Sequence, residues 1–361
     1  MIGRTGRGDY GHNLDTVWLD VPQTEVVAVA DDNKLGLAEA AKRLKVERTF
    51  IDYREMLDKT RPDIVAVATR FLDQHRDMVV AAAERGIHIF LEKPLCRTLA
   101  EADEMVAACE RSHAKLVIAH QTRYSPKAPV VKQLIAEGKI GRVLEYRGRG
   151  KEDARGGGED LWVLGTHVMD LMRMLGGQPQ WCFGWITQGG RPVEKAHVID
   201  GNEGIGPLAG DSVHAMYGMP DGTVAYFSSV RNGAQGRPRF GVRIHGSAGV
   251  IDMGTNYMPS VKLLADASWT SGKWQKVSSA GVEKPEPITD MRPHVGNVLA
   301  VKDLIAAIEE QRQPKSSIYD ARAAVEMIVA VFESHRLGKR VSLPLTTRQN
   351  PLSLMQSAPP A

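Results

Sequence analysis

Short apolar runs alternate with amphipathic stretches over the first 122 residues of the chain. The runs at 64–68 and 87–91 are almost continuously apolar, which is typical of parallel strands covered by helices on both faces. The stretches at 35–44 and 99–112 have the spacing of amphipathic helices. We therefore predict an α/β fold in which residues 1–122 form a doubly wound parallel sheet.

From residue 123 the pattern changes to longer strand-like runs separated by turn signals. The residues Met219-Pro220-Asp221-Gly222 predict a hairpin turn before the run 223–230. Two helical patterns follow at 295–311 and 319–337, and Gly338 ends the second. We predict a second, α+β domain at 123–345 with an antiparallel or mixed sheet, and a flexible polar tail at 346–361.

Charge and cysteine content narrow the functional class. The 361 residues include 46 basic and 43 acidic ones, interspersed along the chain, so nothing indicates a nucleic-acid or membrane partner. Three scattered cysteines are too few for a disulfide framework or a zinc site, and no metal site is expected. With no signal peptide or apolar span evident in the sequence, we expect a cytoplasmic protein.

A glycine-rich segment near the start indicates dinucleotide binding. Gly6, Gly8 and Gly11 match G-x-G-x-x-G, whose glycines permit a tight turn beside a pyrophosphate. Asp31 follows about 20 residues later, where a carboxylate can bind the adenosine ribose. The second acid, Asp32, favours NAD over NADP, and the nearby cation Lys34 keeps NADP as the less favoured cofactor.

The strand before this glycine segment is almost missing, because only Met1 and Ile2 precede Gly3. We hypothesise that the natural protein begins upstream of this start. The upstream reading frame tests this, since a stop codon there would contradict it.

The apolar run 87–91 ends on Glu92, Lys93 and Pro94. Ligands of an open α/β sheet bind beyond the carboxyl ends of its strands. A lysine there can hydrogen-bond a substrate hydroxyl and stabilise the alkoxide as hydride leaves carbon. The alternative is a solvated lysine before a turn, but Pro94 fixes the backbone and allows a cis bond. We expect Lys93 to be catalytic and to border the cofactor together with Glu92.

The neighbouring strand pattern at 63–69 ends on the same edge of the predicted sheet. Thr69, Arg70 and His75 lie in the loop that follows, and we expect them to contact the cofactor. For His75, capping or packing at the start of the next helix is an equally open interpretation.

A third group of candidate residues lies at 161–172, which has helical spacing. This spacing puts Val163, His167, Asp160 and Asp170 along one side of the predicted helix. A neutral histidine is a suitable proton acceptor near physiological pH. The alternative is a satisfied histidine in the core.

Taken together, these features resemble the glucose-fructose oxidoreductase, inositol dehydrogenase and MocA family, called Gfo/Idh/MocA. The residues that carry the resemblance extend to about Leu345 and are Gly6, Gly8, Gly11, Asp31, Glu92-Lys93-Pro94-Leu95, Glu101-Ala102, Arg123-Tyr124, Gly165-x-His167-x-x-Asp170 and Gly338-Lys339-Arg340-Val341-Ser342-Leu343-Pro344-Leu345.

The resemblance implies an N-terminal Rossmann domain that binds NAD(P), and a second domain with an open, mostly antiparallel sheet. It implies that a sugar, cyclitol or related polyol is bound there and that the protein forms a homodimer or homotetramer through this sheet. Lys93 would hold the substrate oxygen while His167 accepts its proton. Arg123, Tyr124 and Trp162 are candidate substrate contacts.

One position departs from the family. Dehydrogenases of the family usually carry an aspartate four residues before the histidine, where this chain has Val163. Asp160 is a candidate replacement as a catalytic acid, although it would serve equally well as a helix N-cap.

Three functions follow. The first is an NAD-dependent sugar or polyol dehydrogenase. The second uses bound NAD for a transient oxidation, with net elimination, hydrolysis or epimerisation. The third is a dinucleotide-binding sensor without turnover.

Overall fold

The computed structural model describes residues 1–235, 239–278 and 293–356. Its helices are α1 Lys34–Leu44, α2 Tyr53–Thr60, α3 His75–Ala83, α4 Leu99–Ser112, α5 Lys127–Ala136, α6 Gly158–Val163, α7 Gly165–Gly176, α8 Pro293–Glu309 and α9 Ile318–Leu337. Its strands are β1 Val29–Ala30, β2 Thr49–Phe50, β3 Ile64–Val67, β4 His88–Leu91, β5 Leu116–Ile118, β6 Val143–Arg149, β7 Trp181–Gln188, β8 Arg191–Pro192, β9 Ile199–Gly201, β10 Gly206–Leu208, β11 Ser212–Gly218, β12 Val224–Val230, β13 Gly241–Gly246, β14 Gly249–Gly254, β15 Val261–Leu264, β16 Gln275–Lys276 and β17 Val341–Ser342.

The chain divides into two compact units. Unit 1 contains Met1–Tyr124, Glu203–Ile205 and Asp290–Arg322, and unit 2 contains Ser125–Asn202, Gly206–Thr289 and Ala323–Ala361. The first division lies close to the predicted boundary at 122, but the chain later returns to unit 1. Apolar periodicity predicts that residues 295–311 form a helix, but it does not indicate which sheet the apolar side of that helix packs against. The sequence therefore does not predict that this helix belongs to unit 1.

Unit 1 contains the predicted parallel sheet. Strands β1 and β2 pair in parallel, as do β3, β4 and β5. Ile2 forms parallel bridges to both Ala30 and Val67, and so joins the two groups of strands. The Rossmann-type fold is therefore confirmed, with its first strand reduced to the bridge at Ile2.

A groove of ≈ 910 Å³ lies at the amino ends of these strands. Met1, Ala28, Ile64 and His88 are among the residues that line it. The glycine segment and Lys93 follow the carboxyl ends of Ile2 and β4 instead. Since ligands of such sheets bind at the carboxyl ends, the groove is not the candidate functional site.

Unit 2 is built on a mixed sheet. In the part of the chain that the structure describes, its strand order is β16-β15-β14-β13-β6-β12-β11-β7-β17, with β8 paired to β7. Strands β6 and β12 run parallel, and the other neighbours in this order are antiparallel. The predicted hairpin after Met219 joins β11 to β12. The mostly antiparallel second sheet is confirmed.

One face of this sheet is covered by helices. A Cβ on Gly148 of β6 would lie 2.6 Å from the side chain of Val168, so α7 packs closely there. On β11 the Tyr217 hydroxyl donates to the Met327 carbonyl of α9 at 3.0 Å. Phe183, Trp185 and Tyr226 point to the other face, where they are exposed.

Two local features differ from the sequence predictions. The helix predicted over 161–172 is broken at Leu164, whose φ of −119° separates α6 from α7. Part of the tail predicted to be flexible is packed, because Leu352 is fully buried and the Asn350 side-chain amide donates to the Pro207 carbonyl. No helix among the described residues is long and apolar enough to cross a membrane.

Candidate functional site

The glycine segment follows Ile2 directly and is closely packed. Gly3, which the motif search did not select, donates its N–H to the Ala30 carbonyl, and a Cβ there would lie 2.2 Å from the Tyr10 ring. Gly8 and Gly11 have positive φ, and a Cβ on them would lie 2.6 Å from the Arg70 nitrogen and 2.5 Å from the Ala68 carbonyl oxygen. The close approach of backbone segments therefore requires these glycines.

Gly6 is different, because its φ is +83° and nothing lies within 4 Å of a Cβ built on it. Its conformation favours glycine, while its surroundings are open. This open position marks the part of the segment that can face a ligand.

Asp31 does not face open space as a ribose-binding acid would. Its carboxylate accepts hydrogen bonds from the Thr5 N–H and hydroxyl, the Tyr10 hydroxyl and the Asn33 N–H at 2.7–3.1 Å. The residue is 1% exposed. Asp31 holds the glycine segment in place, and its neighbour Asp32 is the more exposed acid.

Glu92 is fully buried at the end of β4. Its carboxylate lies 3.1 Å from His12 Nδ1 and accepts the His12 N–H at 3.3 Å. Burial alone would raise the pKa of Glu92, but the charge and hydrogen bond of His12 and the charge of Lys93 lower it overall. Glu92 thus ties the glycine segment to the strand that carries Lys93.

Lys93 stands one residue further on, where its backbone N–H donates to Glu92 Oε1 at 3.2 Å. It is only 6% exposed, and its peptide bond to Pro94 is cis. The interpretation as a solvated surface lysine is therefore wrong. A lysine that is largely removed from solvent at the ligand edge of the sheet suits binding of a polar substrate atom.

His75 is fully buried at the start of α3, which is the packing alternative left open by the sequence. Its Nε2 lies 2.7 Å from the Thr69 carbonyl oxygen, and its Nδ1 lies 3.0 and 3.2 Å from those of Pro94 and Leu95. The ring therefore links the segment that follows β3 to the segment that follows β4.

Thr69 and Arg70 border the glycine segment. The Thr69 hydroxyl donates to the Arg7 carbonyl at 2.7 Å, and Arg70 Nε lies 3.9 Å from Glu203 Oε1. The Arg70 backbone nitrogen is the atom next to Gly8. Both residues lie where the sequence predicts, at the carboxyl edge of the sheet.

The predicted substrate residues Arg123 and Tyr124 are held by other parts of unit 1. Arg123 donates to the Lys315 carbonyl at 2.9 Å and pairs with Asp320 at 3.1 Å. The buried Tyr124 hydroxyl donates to Asp303 at 3.1 Å. These contacts anchor the chain at the end of the first segment of unit 1. Their partners lie far away in the sequence, so the local Arg123-Tyr124 motif does not reveal this role.

In unit 2, Asp160 is fully buried and holds a loop together. Its carboxylate accepts from the Lys151 and Glu152 N–H groups at 3.2 and 3.0 Å and from the Ser229 hydroxyl at 2.5 Å. Burial raises the pKa of Asp160 against the opposing effect of these donors. These three donors give Asp160 a structural role between the loop at 151–152 and strand β12.

His167 lies in the first turn of α7 and is half-buried. Its ring meets that of Phe240 edge to face, with centroids 6.3 Å apart. Trp162, predicted to contact substrate, is buried in α6 at 1% exposure. The helix break at Leu164 separates both Trp162 and Val163 from the helix that carries His167.

The geometry of unit 1 fits a dinucleotide. The chain makes a glycine turn after a central parallel strand, leaves open space at Gly6, and places acids after β1. In the described residues, no group of three or more His, Cys, Asp or Glu side chains is arranged to hold a metal ion. The fold and site define a nucleotide-binding protein with a lysine at the ligand edge.

Comparison with known proteins agrees with this class. Residues 1–120 match an oxidoreductase family with an NAD-binding Rossmann fold, and residues 130–252 match the GFO/IDH/MocA C-terminal domain. The chain belongs to the Gfo/Idh/MocA family, whose N-terminal domain binds NAD. The predicted family, fold class and cofactor are therefore confirmed.

The chain is similar to two characterised sugar dehydrogenases. It is 31% identical over 250 residues to levoglucosan dehydrogenase of Pseudarthrobacter phenanthrenivorans, covering 62% of this chain and 63% of that protein. It is 25% identical over 358 residues to D-apiose dehydrogenase of Paraburkholderia graminis, covering 94% and 88%. The solved complex of levoglucosan dehydrogenase with NADH and levoglucosan has the same fold, with a TM-score of 0.75, 24% identity, and coverage of 95% and 99%.

Proposed function

We propose that this protein is an NAD-dependent dehydrogenase that oxidises a hydroxyl of a sugar, cyclitol or related polyol. The observation that carries the proposal is the placement of Lys93, which is almost completely buried beside the Glu92 carboxylate at the carboxyl edge of the NAD-binding sheet. The similarity to levoglucosan and D-apiose dehydrogenases supports the substrate class.

Each residue has a defined task in this proposal. Lys93 donates a hydrogen bond to the substrate oxygen and stabilises the negative charge that develops there. His167 accepts the hydroxyl proton, for which a neutral imidazole suits pH values near 7. Bound NAD+ would supply the acceptor for the hydride that leaves the substrate carbon, and this carbon would become a carbonyl.

Substitution of the lysine tests the proposal. Lys93→Met keeps an apolar stem and removes the ammonium, so we expect turnover to fall by orders of magnitude while NAD+ binding, measured by calorimetry, is retained. Lys42→Met, on the exposed side of α1, is the matched control and leaves turnover unchanged. If neither the unmodified protein nor Lys42→Met formed NADH with any sugar or cyclitol of a broad panel, the result would indicate a sensor without turnover.

A second function is favoured by the position before His167. Val163 is buried four residues before His167, and the Asp160 carboxylate accepts hydrogen bonds from the Glu152 N–H and the Ser229 hydroxyl. Bound NAD then supports a transient oxidation with net elimination, hydrolysis or epimerisation. Product formation without net NADH distinguishes this function from dehydrogenation, which releases NADH in proportion to product.

We also propose that the protein forms a homodimer or homotetramer through the open face of the unit 2 sheet. Phe183, Trp185 and Tyr226 expose large apolar side chains on this face. Sedimentation of Trp185→Glu against the unmodified protein tests the proposal, because a buried charge would shift the assembly toward the monomer. The three buried free cysteines suit the cytoplasm, which is the location we propose.

A further inference from the structure

A cavity of ≈ 250 Å³ lies on the mixed sheet of unit 2 and is rich in cations. The residues that line it are Arg243, Asp252, Lys262, Trp274 and Lys276. Four of them form one row across β13–β16, because Asp252 lies opposite both Arg243 and Lys262, and Lys262 lies opposite Lys276. Residues opposite one another on neighbouring strands point to the same face of a sheet, so these side chains converge. We call this site the cationic cavity.

Trp274 forms an aromatic wall of the cationic cavity. It lies just before β16, which is three strands away from the β13 strand of Arg243. Neighbouring strands are about 4.8 Å apart, so the two backbones are about 14 Å apart. The Arg243 guanidinium nevertheless lies 5.9 Å from the centre of the Trp274 ring. The indole therefore extends across the row, and with the residue 41% exposed it offers a flat apolar surface to a ligand.

The charges of the cationic cavity are not balanced. Arg243 pairs with Asp252 at 3.3 Å. Lys262 and Lys276 lie directly opposite each other, and neither forms an ion pair within the described parts of the chain. Like charges in opposite positions destabilise a sheet, so an anion bound between the two lysines would stabilise this arrangement.

We propose that the cationic cavity binds an acidic sugar, such as a uronic acid residue of an oligosaccharide. The lysine ammonium groups bind its carboxylate, and the Trp274 ring packs against the apolar C–H face of its pyranose ring. The Asp252 carboxylate accepts hydrogen bonds from the sugar hydroxyls, and it repels a doubly charged phosphate more strongly than a singly charged carboxylate. The volume is below the about 300–1,000 Å³ of sites for drug-sized ligands, which suits a single ring.

The cationic cavity is compatible with the subunit contact proposed above. Tyr226 of the exposed apolar patch lies in the same row as Arg243, so the two sites share one face of the sheet. Strand β6 separates β13–β16 from β12, β11 and β7, which carry the apolar patch. The site therefore lies beside the patch and outside it.

Calorimetric binding of trigalacturonate to the full chain at low ionic strength tests the proposal, with uncharged galactotriose and inorganic phosphate as comparison ligands. We expect trigalacturonate to bind at least tenfold more tightly than either. Trp274→Ala and the double variant Lys262→Met/Lys276→Met each weaken this binding at least tenfold, whereas Trp274→Phe keeps a flat ring and most of the affinity. An unfolding temperature close to that of the unmodified protein shows that each variant is folded.

Lys132→Met/Lys139→Met is the matched control, because it removes two charges from exposed positions elsewhere in unit 2 and leaves the affinity unchanged. Absent binding of trigalacturonate, or binding equal to that of galactotriose, overturns the inference. Tighter binding of inorganic phosphate that is lost in the double lysine variant also overturns it.

Lys93→Met separates the cationic cavity from the proposed catalytic site. We expect this variant to lose turnover and to bind trigalacturonate as the unmodified protein does. Binding that is lost in Lys93→Met and retained in the cavity variants would assign the sugar to the catalytic site and overturn this inference alone.

Discussion

The Tyr10 hydroxyl donates a hydrogen bond to the buried carboxylate of Asp31 at 2.9 Å. Burial raises the pKa of Tyr10 and the Asp31 charge raises it further, so the phenol remains protonated and continues to donate. The Tyr10 ring also lies against Gly3 at the start of the glycine segment. The Tyr10 side chain therefore connects Gly3 to Asp31 and helps to fix the conformation of the NAD-binding segment.

Removal of this hydroxyl tests that dependence. Tyr10→Phe leaves the ring and deprives a buried carboxylate of one donor, which costs about 1.5–3 kcal/mol for a hydrogen bond to a charged group. We expect the free energy of unfolding to fall by that amount and NAD+ affinity, measured by calorimetry, to fall with it. Tyr319→Phe is the control, since it removes a hydroxyl bonded to Glu110 at the surface and has little effect.

His75 is expected to act on catalysis through position. Its ring faces the carbonyl oxygens of Thr69, Pro94 and Leu95, and the latter two follow Lys93 directly. His75→Phe removes both ring nitrogens and with them the contacts to these carbonyl oxygens, which allows the Lys93 segment to shift. We expect kcat to fall at least tenfold with the Kd for NAD+ nearly unchanged.

A core variant separates this effect from loss of stability. Val79→Ala, on the same helix, removes buried apolar volume without altering those carbonyls, and costs about 1–3 kcal/mol. Both proteins are assayed well below their unfolding temperatures. An equal loss of kcat in both variants would show that His75 contributes stability alone.

The sequence predicts the fold of unit 1 well and some site residues poorly. The apolar run before Glu92 places Lys93 at the ligand edge without any knowledge of tertiary contacts. An acidic residue after a strand looks the same in the sequence whether its carboxylate binds a ribose or accepts hydrogen bonds from other residues of the protein. For Asp31, the outcome depends on Thr5 and Tyr10, which lie 26 and 21 residues away in the chain.

The helix around His167 shows a second limit of prediction from the sequence. Helical spacing over 161–172 is compatible with one helix or with two that meet at Leu164, because each half retains its own period. A single helix places Asp160 on the same side as His167, whereas the break puts the two residues on different helices. The Asp160 partner Ser229 lies on β12, and no sequence pattern links these two residues.

Asp160→Asn distinguishes a structural from a catalytic aspartate. The amide cannot accept from the Ser229 hydroxyl and both loop N–H groups with the strength of a charged carboxylate, so we expect a loss of about 1–3 kcal/mol in the free energy of unfolding. Turnover per folded molecule changes less than tenfold. His167→Gln is the comparison and loses at least a hundredfold; a similar loss in Asp160→Asn would restore Asp160 as a catalytic residue.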